Sequence, residues 1–391
     1  MKRVHIIVIN VIFFGLMVFS GGVVYQFLTG NKPLEALAEL SGTKKAAVVT
    51  TNRCTDKQAI ERLDGAGDTQ LQKLHYYQDA CHSFVTNTLM TFVGMPTSPQ
   101  EADETAQQIA ARMKAFAKAG VRPLVIAEPT DAAGNNLDFA AIANGAYDPL
   151  LDTYFSKIKS LGITDQQMGI WTPLPEANLP YWSNNEPKYF APGVNRFVAI
   201  LRKHFPKVET SIMLNSATYE TTDFNWENGD YQSLAQYVKG VTPGTINYAG
   251  LQGFPWAAPQ GGTATIYNAA EFLNPNLLSE MADLLKTKNV WFNTGTYSTK
   301  YALDPARMVS MAPEQRKEIL DTIATQAEVL KTKGYHVAVH VFAKDKSKTS
   351  EETNWSYWAD NRPFNSPATP ILTEFISDMS NKKIDFWLFD N

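Results

Sequence analysis

Several things are scarce in this 391-residue chain, and each scarcity closes a class of function. Charge is balanced: 35 basic against 39 acidic residues leave a formal net charge of -4. No basic excess suggests nucleic acid, and no acidic run suggests a solvating tail. Phosphate-binding loops are absent: neither G-x-G-x-x-G nor G-x-x-x-x-G-K-[ST] occurs, which argues against nucleotide chemistry. No serine sits in a G-x-S-x-G elbow, so a hydrolase of that type is disfavoured. The six histidines are scattered, and no metal-binding spacing stands out. His336 and His340 lie four apart on one strand face, a spacing that is usually accidental. The sequence therefore calls for no cofactor and no metal.

Cysteine is limited to Cys54 and Cys81. An even count in an exported segment reads as one disulfide, worth roughly 3–4 kcal/mol on the chain-entropy model.

Long hydrophobic runs are also few, and the one present is at the start. Ile6 to Leu28 is a run of 23 uncharged residues behind Lys2 and Arg3. As a helix it would span roughly 35 Å, enough to cross a bilayer, with the positive end held inside. A cleaved signal peptide is the rival reading, but its apolar stretch would be shorter and Phe19-Ser20-Gly21-Gly22 is a poor cleavage site. The expected organisation is a membrane anchor over residues 1–29, a linker over 30–45, and one extracytoplasmic domain over 46–391.

Within that domain, aromatics at 12% and hydrophobics at 44% suffice for a full core. Strand and helix signals alternate from residue 84. Ser98-Pro99-Gln100-Glu101 is a helix start with cap, proline and carboxylate in sequence, and Gly120 supplies the stop. Strands are expected at Phe84–Val93, Val121–Ala127, Met168–Leu174, Val208–Leu214, Ile246–Leu251, Val290–Phe292 and His336–Phe342. Ala46–Thr50 is the candidate eighth, at the start. Helices fall between them, the longest over Pro313–Lys333, and a last one near Ile371–Met379. Such alternation implies a parallel sheet, and eight units imply an α/β fold of the (β/α)8 TIM-barrel kind.

In that architecture the site stands at the C-terminal strand ends. Glu128, Glu176, Asn215, Gln252 with Trp256, Asn293, and the run Asn354-Trp355-Ser356-Tyr357-Trp358 follow strands. Carboxylates and amides bind hydroxyls, and flat rings stack on sugar faces, so the mixture points to a polysaccharide or oligosaccharide. Trp182, Trp256, Trp355 and Trp358 are the stacking candidates; packing under a lid is their bland alternative. Trp171 and Trp291 lie inside strands and read as core.

The stretch Trp171-Thr172-Pro173-Leu174-Pro175-Glu176-Ala177-Asn178, followed by Tyr181 and Trp182, resembles the fourth-strand motif of the β-mannanase-type glycoside hydrolases of family 26. Asn293-Thr294-Gly295 resembles that family's glutamate–threonine–glycine at the seventh strand. The resemblance implies a glycosidase barrel with Glu176 as general acid/base, its pKa raised by an apolar setting, and Asn178 among the sugar contacts. It departs at the nucleophile, where Asn293 cannot attack an anomeric carbon. Glu128 acting as general base, a substrate N-acetyl oxygen, or Asp345, Glu351 or Glu352 could fill the gap. A sugar-binding pseudoenzyme is the alternative, and structural ion pairing is the bland reading of Glu128 and Glu176.

Overall fold

The computed structural model describes residues 85–118, 122–178, 182–184, 186–215, 230–253, 257–260, 263–266, 273–294, 313–342, 374–375, 378–379 and 381–389. The strands in chain order are β1 (Val85–Val93), β2 (Arg122–Ala127), β3 (Ile170–Pro173), β4 (Glu209–Asn215), β5 (Tyr248–Gly253), β6 (Ala257–Gln260), β7 (Thr263–Ile266), β8 (Asn289–Thr294), β9 (His336–Phe342) and β10 (Asp385–Phe389). Eight of them form a closed parallel barrel in the order β1-β10-β9-β8-β5-β4-β3-β2. β6 and β7 make a separate antiparallel hairpin.

The barrel corrects the expected strand count. Its eighth strand is β10, and Ala46–Thr50 lies outside the described residues. Counting therefore starts at Val85, so Glu176 follows the third barrel strand and Asn293 ends the sixth. Both stand one strand earlier than the family resemblance implied. The anchor segment, Cys54 and Cys81 also lie outside the described residues, among which no helix is long and apolar enough to cross a membrane.

The chain divides into two compact units. In the first, residues 91–209, the helices are α1 (Pro99–Lys118), α2 (Phe139–Ala143), α3 (Asp148–Ser160), α4 (Asp165–Met168) and α5 (Pro187–His204). The start of α1 is built as expected, with one change. Ser98 Oγ accepts the Glu101 amide at 3.1 Å, but the Glu101 carboxylate reaches past the cap to the Thr97 amide at 2.8 Å. Its other oxygen accepts from the Ala132 amide at 2.8 Å, so the same residue ties the helix to the segment after β2.

Trp171 on β3 is buried against the helices. It meets Phe155 of α3 at 5.3 Å edge-to-face and Phe197 of α5 at 6.2 Å. Strand alternation then sends its neighbour Thr172 to the opposite face, into the barrel. Register pairs Val125 with Trp171 and Ile126 with Thr172, so Ile126 shares that inner face. Gly169, at φ +66°, makes the turn into β3, and a side chain there would run into Pro123.

The second unit holds most of β1, β4 apart from its first residue, all later strands, α6 (Asp230–Lys239), α7 (Pro275–Leu285) and α8 (Pro313–Thr332). Helix α7 buries Leu277, Leu278, Met281, Ala282 and Leu285. Asn274 caps its start by accepting from the Asn276 amide at 2.9 Å, and Lys286 closes its end in the left-handed region. Here the inner strand face is filled by Trp291. Its indole N–H donates to Ser211 Oγ at 2.8 Å, and its ring lies 5.6 Å from that of Trp387. Gly250, paired with Trp291 on the adjacent strand, leaves the room: a Cβ there would collide with the Trp291 indole and stand 2.8 Å from the Ile212 carbonyl. Trp171 and Trp291 are thus both core, on opposite faces of their strands.

Candidate active site

Two groups of polar side chains stand at the C-terminal strand ends, one in each unit. In the first unit the group is the carboxylate pair Glu128 and Glu176. Glu128 directly follows β2, and its amide donates to the Val93 carbonyl at 2.9 Å. One residue earlier, the Ala127 carbonyl accepts the Leu174 amide at 3.0 Å, holding the segment after β3 alongside. Alternation from Ile126 sends Glu128 to the inner face. The segment leading away is also pinned: Met95 donates to the Thr130 carbonyl at 2.8 Å, and Gly94 permits the approach because a Cβ there would stand 2.8 Å from that same oxygen.

Glu176 is held differently. Leu174 and Glu176 both occupy the left-handed region, at φ 51° and 52°, which non-glycine residues seldom adopt. Each such residue costs on the order of 1 kcal/mol and persists only where its surroundings impose it. Part of that support is Trp182, whose indole N–H donates to the Glu176 carbonyl at 3.1 Å. Trp182 is buried and its ring lies 6.1 Å from that of Phe139. Named from the sequence as a stacking candidate with lid packing as its alternative, it here braces the backbone of Glu176. Glu176 itself is buried, and Asn178 is half-buried two residues on.

The two carboxylates feel each other. Burial, with the Glu176 charge as second cause, pushes the Glu128 carboxyl up to about 8, although Glu128 retains some exposed surface. Sequence reasoning expected a raised carboxyl at Glu176; here burial raises that of Glu128. Nothing in the local sequence signals this, because the desolvation comes from the strands and loops around the residue. Beneath Glu128 on the inner face, Thr172 buries a hydroxyl that has no hydrogen-bond partner among the described residues.

In the second unit the group is a row across four strands. Register pairs Asn215 with Gln252, Gln252 with Asn293, and Asn293 with His340, all buried. Asn293 Nδ2 donates to Gln252 Oε1 and lies 3.5 Å from Met213 Sδ, while Asn293 Oδ1 lies 2.6 Å from His340 Nδ1. Sequence reasoning found the three amides but weighed His340 only as a metal ligand; its register with Asn293 was the missing signal. Among the described residues no three His, Cys, Asp or Glu side chains gather as a metal site would require. Trp256, Trp355 and Trp358 lie outside the described residues.

An eight-stranded (β/α) barrel with carboxylates and amides at its strand ends is an architecture found among glycosidases, and solved structures of that kind resemble this one in fold. A β-glucosidase matches with TM-score 0.50 and 11% identity, over 78% of this chain and 88% of its own. A β-glycosidase matches with TM-score 0.50 and 12% identity, over 79% and 87%. A fungal β-1,4-galactanase structure matches with TM-score 0.50 and 12% identity, over 75% and 89%. At such identities the likeness establishes the fold, and it does not single out family 26. No family model and no curated protein matches the chain.

Proposed function

We propose that the protein is a glycoside hydrolase acting on β-linked sugars, with Glu128 as general acid and Glu176 as its charged partner. The observation that carries the reading is the pair itself: two interacting carboxyls at the ends of adjacent strands, one pushed up to about 8 and so protonated at neutral pH. Glycosidases need that division, an acid to protonate the leaving oxygen and a carboxylate that stays ionised. In the proposed step the glycosidic C–O bond breaks as Glu128 gives its proton to the leaving oxygen. A water adds to the anomeric carbon and gives its proton to Glu176. The roles are thus exchanged relative to the family resemblance, and Asn293 takes no covalent part. The solved structures of similar fold, being glycosidases, favour the same chemistry.

The apolar run Ile6–Leu28 behind Lys2 and Arg3 supports a further proposal, that the barrel is tethered to a membrane and faces the extracytoplasmic side.

The test is reducing-end release by the full chain on mannan, β-glucan, xylan and peptidoglycan. Wild type should release sugar, with kcat/KM falling above about pH 8 as Glu128 ionises, and both Glu128→Gln and Glu176→Gln should be inactive. Retention of activity in either variant refutes the assignment. One observation favours a second reading, binding without turnover: the row Asn215, Gln252, Asn293 and His340 contains no carboxylate. Binding of one glycan with no release from any would select it.

A further inference from the structure

The row in the second unit has a direction. Asn293 touches three neighbours, and one of them decides which way its amide is turned. Met213 Sδ, 3.5 Å from Asn293 Nδ2, is a thioether and has no proton to donate. A thioether can accept an amide N–H but offers an amide oxygen no proton, so the nitrogen is the matched atom beside it. Asn293 Oδ1 is thereby turned to His340 and can only accept, so the 2.6 Å contact requires the proton on His340 Nδ1. On the other side Asn293 Nδ2 can only donate, so Gln252 must present Oε1 to it, and the Gln252 nitrogen is turned away from Asn293.

We infer that His340 is the positioning residue of this row: its Nδ1–H locks the orientation of Asn293, and through Asn293 that of Gln252. The row then meets a sugar with its amides held in one orientation, and that fixed order of donors and acceptors is what selects the ligand. The three residues lie in register on β5, β8 and β9 above the Trp291–Ser211 layer, and their burial restricts reorientation by solvent. Without the His340 donor, Asn293 Oδ1 would be a buried acceptor lacking that proton, and the amide would lose one of the contacts that distinguish its two ends. The role in sugar recognition rests on the proposed function; the proton position does not.

The experiment therefore has two arms on the full chain purified in detergent. In the first, 15N-labelled histidine is read by long-range proton–nitrogen correlation, with the His340 signal assigned by its loss in His340→Phe. The inference expects the Nδ1–H tautomer; the Nε2–H tautomer overturns it. In the second, binding of mannohexaose, cellohexaose, xylohexaose and N-acetylchitohexaose is measured by calorimetry beside thermal unfolding. For whichever probe binds, His340→Phe should weaken binding roughly 5- to 100-fold, the range expected when one buried hydrogen bond is left unmade. His340→Gln, which keeps an N–H donor, should recover most of that loss. Unchanged binding in a folded His340→Phe variant overturns the positioning role. If no probe binds wild type, the sugar-binding reading fails while the tautomer arm still decides the direction of the row.

Discussion

Replacing Glu128 with glutamine swaps a carboxyl for a neutral group of the same shape, and the position of that carboxyl's titration gives the change a definite sign. Its pKa rises from 4.5 to about 8 on folding, with burial the larger cause and the Glu176 charge the smaller. Between those pH values the folded chain holds a proton that the unfolded chain has released. Stability contributed by this group is therefore fully present below pH 4.5 and is lost as pH rises through about 8. At about 1.4 kcal/mol per pH unit the window is worth at most about 5 kcal/mol. Glu128 retains some exposed surface, and solvent screening reduces this to about 2 kcal/mol. The assay is thermal unfolding of wild type and Glu128→Gln at pH 5 and pH 9. At pH 5 the two should be within about 1 kcal/mol of each other, since both folded proteins carry a neutral group and the unfolded carboxyl is only just past its pKa. At pH 9 the variant should be more stable by about 2 kcal/mol, a Tm difference of roughly 2–5 °C. A variant that is no more stable than wild type at pH 9, or that repeats its pH dependence, would refute the claim that Glu128 is held protonated by burial. Stabilisation combined with loss of sugar release would mark a residue kept for chemistry at the expense of the fold.

Three further outcomes are expected. Gly250→Ala should destabilise by about 2–3 kcal/mol in urea unfolding, because its Cβ has the Trp291 indole on one side and the Ile212 carbonyl on the other. Thr172→Val should raise stability by about 1 kcal/mol, since the hydroxyl it removes is buried with no partner among the described residues; a fall in Tm would mean that the hydroxyl is satisfied in solution. Trp182→Phe, which deletes the donor to the Glu176 carbonyl, should cost about 1 kcal/mol of stability and lower kcat/KM about tenfold on a cleaved glycan. An unchanged kcat/KM would show that Glu176 does not depend on that brace.

Seven barrel strands were legible because helix and strand signals alternate between clear stops, and their observed limits fall within about two residues of the expected ones. β10 was not legible. Asp385-Phe386-Trp387-Leu388-Phe389 is a short apolar run near the chain end, and periodicity alone does not separate such a run from a buried turn of helix. The helices α2 and α4 were missed for a related reason: at five and four residues they are too short to show a 3.6-residue period, although Thr164 and Gln167 form a capping box.

The missed strand bears directly on how the site is read. A family motif can be carried over only by strand number, and one strand added at the end of the chain instead of the beginning moves every assignment by one place. Glu176 and Asn293 lose their counterparts in that scheme, so the absence of a carboxylate at Asn293 stops being a defect that needs repair. What survives a change of count is local: a carboxylate that follows a parallel strand is at the C-terminal end of the barrel whatever the strand's number, and alternation decides whether it faces inward. Glu128 and Glu176 were named as candidates on that ground. The division of labour proposed for them was not legible, because it depends on how much water each carboxyl has lost, and that is set by the tertiary surroundings. The two tryptophans inside strands make the same point: Trp171 and Trp291 were both legible as core, yet only the register with Thr172 and Gly250 says which one fills the barrel.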